Sequence, residues 1–115
     1  MPQEPLVIED HAGAKGGQRI FRLKGPLVIN NLFDFQAKVR ADNSRSLIID
    51  LTDVLYIDSA GIGALVGAYV THQKGGRRLS LVGVSQRIHN ALEVTRVEQF
   101  FRFFDNLQQA QEAAA

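Results

Sequence analysis

No cysteine occurs among the 115 residues, which excludes disulfide scaffolds, thiolate zinc sites, thiol nucleophiles and redox pairs together. An excess of one charge is also missing: 13 Lys and Arg stand against 12 Asp and Glu, a formal net charge of +1. A dedicated nucleic-acid binder carries a strong basic excess, so direct nucleic-acid binding is not expected. The longest stretch free of charge and of strongly polar amides or imidazole is Ser59–Thr71. It is rich in glycine and shorter than the ~20 apolar residues of a membrane-spanning helix. Met1-Pro2-Gln3-Glu4-Pro5 is polar and acidic where a signal peptide is basic and then apolar. These features predict a cytoplasmic protein with no membrane insertion.

What is present suits one folded domain. Hydrophobic residues make up 45% and charged residues 22%, enough apolar surface to form a core. No repeat, linker or low-complexity tract divides the chain. One domain over residues 1–115 is expected, with ragged ends at about 1–4 and 112–115.

Leu6-Val7-Ile8 and Arg19–Leu23 read as two strands of an antiparallel hairpin, joined through Gly13, Gly16 and Gly17. Gly25-Pro26 breaks the pattern. Asn30–Arg40 has a helical rhythm of Leu32, Phe33, Phe35 and Val39, and Asp42-Asn43-Ser44 ends it. Ser46–Leu51 is a near-continuous apolar run, as in a strand covered on both faces. A second helix is predicted over Ala60–Gln73, closed by Gly75-Gly76. Leu79–Val84 forms another buried strand. Ser85 suits the N-cap of a third helix that buries Ile88, Ala91 and Leu92 on one side. Phe100–Phe104 is an aromatic strand or packed segment. Asp105 with Gln108 resembles a capping box for a last helix holding Leu107 and Ala110. The expected architecture is α/β, with a mixed, mostly parallel sheet of about five strands and four helices.

Most routes to catalysis find no support. His11, His72 and His89 fall on three elements with no histidine pair at helical spacing, so no metal site is expected. Gly-x-Ser-x-Gly and the phosphate-binding Gly-x-x-x-x-Gly-Lys motif are both absent. Asp50, Asp53 and Asp58 cluster in sequence but lack the lysine and strand positions of a phospho-receiver magnesium site. Lys74, Arg77 and Arg78 complement the end of the second helix. Ser59 and His72 are 13 residues apart along that helix, ~20 Å of rise, which rules out a hydrogen bond between them. No cofactor is implied.

The second helix carries the informative pattern. Ile62, Leu65, Val66, Tyr69 and Val70 form one apolar stripe, expected to pack on the sheet. Ala60, Gly63, Ala64, Gly67, Ala68 and Thr71 lie opposite, a face with no Lys, Glu or Arg. Gly63 and Gly67 each cost about 1 kcal/mol of helix stability relative to Ala. Small, uncharged residues allow another helix of the domain, or a partner, to approach closely. Ser59 stands at the start of this helix. As N-cap its hydroxyl would satisfy an orphan N–H. A phosphate there would add about −1.5 to −2 charges beside Asp58 and repel a docked partner.

Leu47-Ile48-Ile49-Asp50-Leu51, Val54 to Ile57, Asp58-Ser59-Ala60-Gly61-Ile62-Gly63 and Leu79–Val84 together resemble the STAS domain family, in matching order over nearly the whole chain. The strand followed by Asp-Ser-Ala-Gly is a signature of its free-standing members. The resemblance implies an anti-sigma factor antagonist that is a binder and a kinase substrate rather than an enzyme. Its partners would be an anti-sigma factor with serine/threonine kinase activity and a serine phosphatase. Ser59 would be the phosphorylated residue, and Asp58, Ser59, Ala60, Gly61, Gly63, Ala64 and Gly67 would meet the partner. Many antagonists carry Gly-Glu-Leu-Asp before the first helix, where this chain has Gly25-Pro26-Leu27-Val28. STAS domains also serve as scaffold subunits of lipid-transport or stress-signalling assemblies, in which Ser59 would act only as a cap.

Overall fold

The computed structural model describes residues 5–113. A five-stranded sheet runs in sequence order: β1 (Val7–Ala12), β2 (Gln18–Lys24), β3 (Ser46–Asp53), β4 (Arg78–Val82) and β5 (Arg102–Phe104). β1 pairs antiparallel with β2, and the three remaining pairs are parallel. The hairpin and the mostly parallel sheet therefore match the sequence expectation.

Helices α1 (Phe33–Ala41), α2 (Ser59–Lys74) and α3 (Gln86–Val94) make the crossovers between the parallel strands. They pack on one sheet face, against Phe21, Leu23, Leu47, Ile49, Leu51, Leu79 and Leu81. The last helix, α4 (Leu107–Ala113), sits on the other face over Ile20, Ile48 and Val82. Alternating residues of β3 thus feed two cores, which explains why Ser46–Leu51 is buried without interruption.

Several boundaries differ from expectation for local reasons. α1 starts at Phe33 rather than Asn30, because Val28 N–H bonds the Asn31 side chain and Asn31 N–H bonds the Val28 carbonyl in a turn. Leu32, Phe35 and Val39 are buried but Phe33 is exposed, since one helix face cannot turn both Leu32 and Phe33 inward. Ser85 does cap α3, accepting the Ile88 N–H at 3.2 Å. The start of α4 belongs to Asn106, which accepts the Gln109 N–H at 2.9 Å, not to the Asp105–Gln108 pair. Ala113, expected to fray, still lies in α4; residues 1–4 and 114–115 are outside the described residues.

Candidate functional site

Asp58, not Ser59, caps α2. Its backbone is extended, and its Oδ1 accepts the Gly61 N–H at 2.8 Å. An aspartate cap satisfies the same orphan donor as a serine and adds a favourable charge at the positive end of the helix. Its other oxygen, Oδ2, accepts the Ile29 N–H at 3.0 Å from the loop ahead of α1. One carboxylate therefore fixes the head of α2 to that loop. Ser59 is left as the first helical residue, exposed, its hydroxyl without a hydrogen bond among the described residues.

The loop itself is pinned beneath this point. Leu27 forms an isolated bridge with Ile57, and its N–H donates to the Tyr56 carbonyl at 3.2 Å. Leu27 and Val28 are buried. The segment that departs from the acidic family pattern is thus a structural floor.

The roll of α2 differs from the periodicity reading. Its buried stripe is Gly61, Ala64, Leu65, Ala68 and His72. Ile62, Val66 and Tyr69 are half-buried flanks of that core, and Val70 is exposed. The buried face is turned by roughly 100°, one residue's step, from the expected one. The cause is close approach: a methyl group at Gly61 would overlap the Leu27 carbonyl oxygen, so the smallest residues must point inward. Ala64 and Ala68, expected to face outward, lie inside, where α2 packs beside α1.

Of the residues expected at the partner surface, Gly61 and Ala64 are therefore buried. Ser59, Gly63 and Gly67 are exposed, and Asp58 and Ala60 are half-buried. Ser59, Gly63 and Gly67 recur every fourth residue and so form one uncharged edge. Nothing lies within 4 Å of where a side chain would begin at Gly63 or Gly67. Between this edge and α1 runs a groove of about 190 Å³, walled on the α1 side by Gln36, Val39 and Arg40.

Sequence reasoning missed the apolar residues around the site. Ile29, Phe33 and Leu55 are 55%, 68% and 67% exposed, and Tyr56 is also exposed. All lie on the two loops that meet at Asp58 or on the first turn of α1. The available signal was Leu55-Tyr56 and Ile29 standing outside any periodic element, where nothing obliges them to be buried.

The other candidates disperse. Asp53 pairs with Arg22 at 3.3 Å, and Asp50 accepts the Thr52 N–H and hydroxyl, so neither joins Asp58. His11 contacts Glu9, and His89 contacts Glu93 with its ring 5.0 Å from that of Phe103. His72 is buried between the Ala68 carbonyl and the Asp42 carboxylate. Among the described residues no group of His, Asp and Glu converges as metal ligands, and no helix is long and apolar enough to cross a membrane.

An antiparallel hairpin leading into a parallel sheet, with an Asp-Ser-Ala-Gly turn after the central strand, defines a small α/β domain. The STAS domain family model matches residues 8–110, and the chain belongs to that family. The anti-sigma-B factor antagonist of Staphylococcus aureus is 35% identical over 57 residues, covering 50% of this chain and 53% of that protein. The matched segment thus spans about half the length of that curated relative. An anti-sigma factor antagonist from Mycobacterium paratuberculosis has the same fold, with a TM-score of 0.82 at 18% identity over 95% of this chain and 93% of that one. So does the anti-sigma factor antagonist SpoIIAA in its unphosphorylated form, with a TM-score of 0.75 at 14% identity over 93% and 96% of the two chains.

Proposed function

We infer that the protein is an anti-sigma factor antagonist, acting as one STAS unit over residues 1–115 in the cytoplasm. Unphosphorylated, it binds an anti-sigma factor that is also a serine/threonine kinase. Phosphorylation of Ser59 breaks the complex, and a serine phosphatase restores it. In this cycle the chain is binder and substrate and performs no catalysis.

The observation that carries this reading is the free, exposed Ser59 hydroxyl at the head of an uncharged helix edge. Because Asp58 already caps the helix, Ser59 is dispensable to the fold. A phosphoryl group on its oxygen is compatible with the helix N-terminus. Against a docked partner it places a dianion one residue from the Asp58 carboxylate, and desolvating that charge without a counter-ion costs several kcal/mol. The switch thus changes binding and leaves the domain folded. SpoIIAA, which shares the fold, has been solved in both unphosphorylated and phosphorylated forms.

The contact surface we assign is the Ser59–Gly63–Gly67 edge with the neighbouring half-buried Asp58 and Ala60, extended by Ile29, Phe33, Leu55 and Tyr56. Gly61 and Ala64 act from beneath by setting the position of the helix. With Gly25-Pro26-Leu27-Val28 replacing the acidic loop, recognition here is apolar rather than electrostatic.

The test is incubation with a candidate anti-sigma serine kinase and ATP, then mapping of phosphate and calorimetry on the unmodified, Ser59→Ala, Ser59→Glu and phosphorylated forms. Binding retained by Ser59→Ala and lost on phosphorylation is expected. Equal affinity of all four forms overturns the switch and leaves a constitutive scaffold subunit.

A further inference from the structure

At the far end of α2 from Ser59, a histidine and an aspartate meet inside the protein. The His72 and Asp42 side chains are 1% and 5% exposed, and His72 Nε2 lies 3.2 Å from Asp42 Oδ2. His72 occupies the last turn of α2, and Asp42 is the residue that ends α1. Their contact ties the two helices together beside the groove walled by Val39, Arg40, Ala68 and Thr71. About 20 Å of helix rise separates this point from Ser59.

Both ring nitrogens of His72 face acceptors. Nδ1 is 2.9 Å from the Ala68 carbonyl oxygen, which can only accept, so Nδ1 carries a hydrogen. Nε2 faces Asp42 Oδ2. That oxygen also accepts the Ser44 hydroxyl at 2.7 Å and lies 3.8 Å from an Arg77 guanidinium nitrogen, surroundings that suit an ionised carboxylate and not a carboxylic acid. A neutral imidazole has one N–H and one lone pair. In either tautomer that lone pair would point at an oxygen lone pair. Only the imidazolium donates in both directions.

The other charged groups near the ring are cations. Arg77 donates to the Asp42 carbonyl at 2.6 Å from the turn after α2, and Arg78 of β4 and Arg102 of β5 line a pocket with His72 and Tyr69. Lys38 of α1 lines a cleft with Asp42 but is paired with Asp10 at 3.1 Å. Among the described residues Asp42 is the only carboxylate in contact with the ring nitrogens. These cations oppose a second ring proton, and Asp42, in direct contact, favours it.

We propose that His72 and Asp42 form a proton-operated latch between the ends of α1 and α2. While the ring is doubly protonated, the latch is closed. As pH rises and the Nε2 proton leaves, a lone pair faces the carboxylate, the bond to Asp42 is lost and that end of the α1–α2 junction loosens. The contribution to stability is therefore present at lower pH and disappears as pH rises through deprotonation of the ring. Ser59 takes no part, so the latch is independent of the phosphorylation switch.

The test is long-range proton–nitrogen NMR of the intact, isotope-labelled chain from about pH 5 to about pH 9, which reads the protonation of each ring nitrogen. Asp42→Asn is the comparison, because its side-chain amide can donate to Nε2 and so accepts a neutral ring. The second His72 proton is expected to be held at least tenfold more tightly in the native chain than in Asp42→Asn, where the neutral form should carry its hydrogen on Nδ1. Amide exchange supplies the conformational readout at Asp42 and Arg77, whose N–H groups bond the Val39 and His72 carbonyls. As His72 deprotonates, their protection is expected to fall at least tenfold after correction for the intrinsic effect of pH. His72→Gln, which keeps a donor for Asp42 without titrating, should show no such fall. Equal proton affinity in the native chain and Asp42→Asn, a neutral ring throughout the range, or the same fall in protection in His72→Gln would overturn the proposal.

Discussion

Asp58 and Ile29 are joined by a hydrogen bond of 3.0 Å between the carboxylate Oδ2 and the backbone N–H, while the same carboxylate caps α2 through Gly61. Twenty-nine residues of chain are thereby closed at the site that presents Ser59. Asp58→Ala removes a cap and a loop anchor together and is expected to cost about 1–2 kcal/mol. Asp58→Asn, whose amide oxygen keeps one acceptor, should lose less. Urea unfolding of the two variants measures the difference.

Ser59→Ala removes a hydroxyl with no partner among the described residues. Its unfolding free energy should lie within about 0.5 kcal/mol of the unmodified protein. Ser59→Glu should likewise fold, with its loss appearing only in partner affinity. A large destabilisation by Ser59→Ala would return the serine to a capping role.

The glycines of α2 are expected to separate into two classes. Gly63→Ala and Gly67→Ala meet nothing within 4 Å and should each stabilise the helix by about 1 kcal/mol. Gly61→Ala drives a methyl group against the Leu27 carbonyl and should destabilise by about 1–3 kcal/mol. Gly67→Lys should leave the melting temperature near that of the native chain while weakening the partner complex, because a long charged side chain would stand on the docking edge.

His72 ties the last turn of α2 to the loop after α1. Its Nδ1 is 2.9 Å from the Ala68 carbonyl and its Nε2 is 3.2 Å from Asp42 Oδ2. His72→Ala leaves a cavity and a carboxylate that retains only Ser44 and Arg77. A loss of about 3 kcal/mol is expected from chemical denaturation, enough to threaten a domain of this size.

On β1, Glu9 has its carboxyl held below the usual range, first by the Lys24 ammonium at 2.8 Å and then by His11. A lowered value means that the native state favours the ionised form. Its contribution is therefore complete above the ordinary glutamate range and is lost as pH falls through the lowered value. The group is exposed, so the effect on stability is small. Side-chain NMR should place its midpoint below that of a free glutamate, and Lys24→Gln should move the midpoint upward. An unchanged midpoint in that variant would assign the shift to another group.

How far the sequence could be read is clearest in α2. Its existence, its glycine stop and the serine at its head were legible from local chemistry. Its buried face was not. Hydrophobicity ranks Ile62, Val66 and Tyr69 above Gly61, Ala64 and Ala68, but distance of approach ranks them the other way. Where a backbone carbonyl at Leu27 and a neighbouring helix crowd the axis, small residues take the inner positions and larger ones flank them. At the start of α1 the cause is different: neighbouring helical positions point to different faces, so Leu32 went in and Phe33 stayed outside.

The sequence by itself determined the order of strands and helices, the caps at Ser85 and Gly75, and the family signature around Ser59, because each depends on residues within a few positions along the chain. Only the tertiary structure decided the roll of α2, the anchoring of Asp58 to Ile29, and the apolar rim of Ile29, Phe33, Leu55 and Tyr56. These depend on which distant segments share space, and close packing settles that by volume and unpaired polar groups rather than by periodicity.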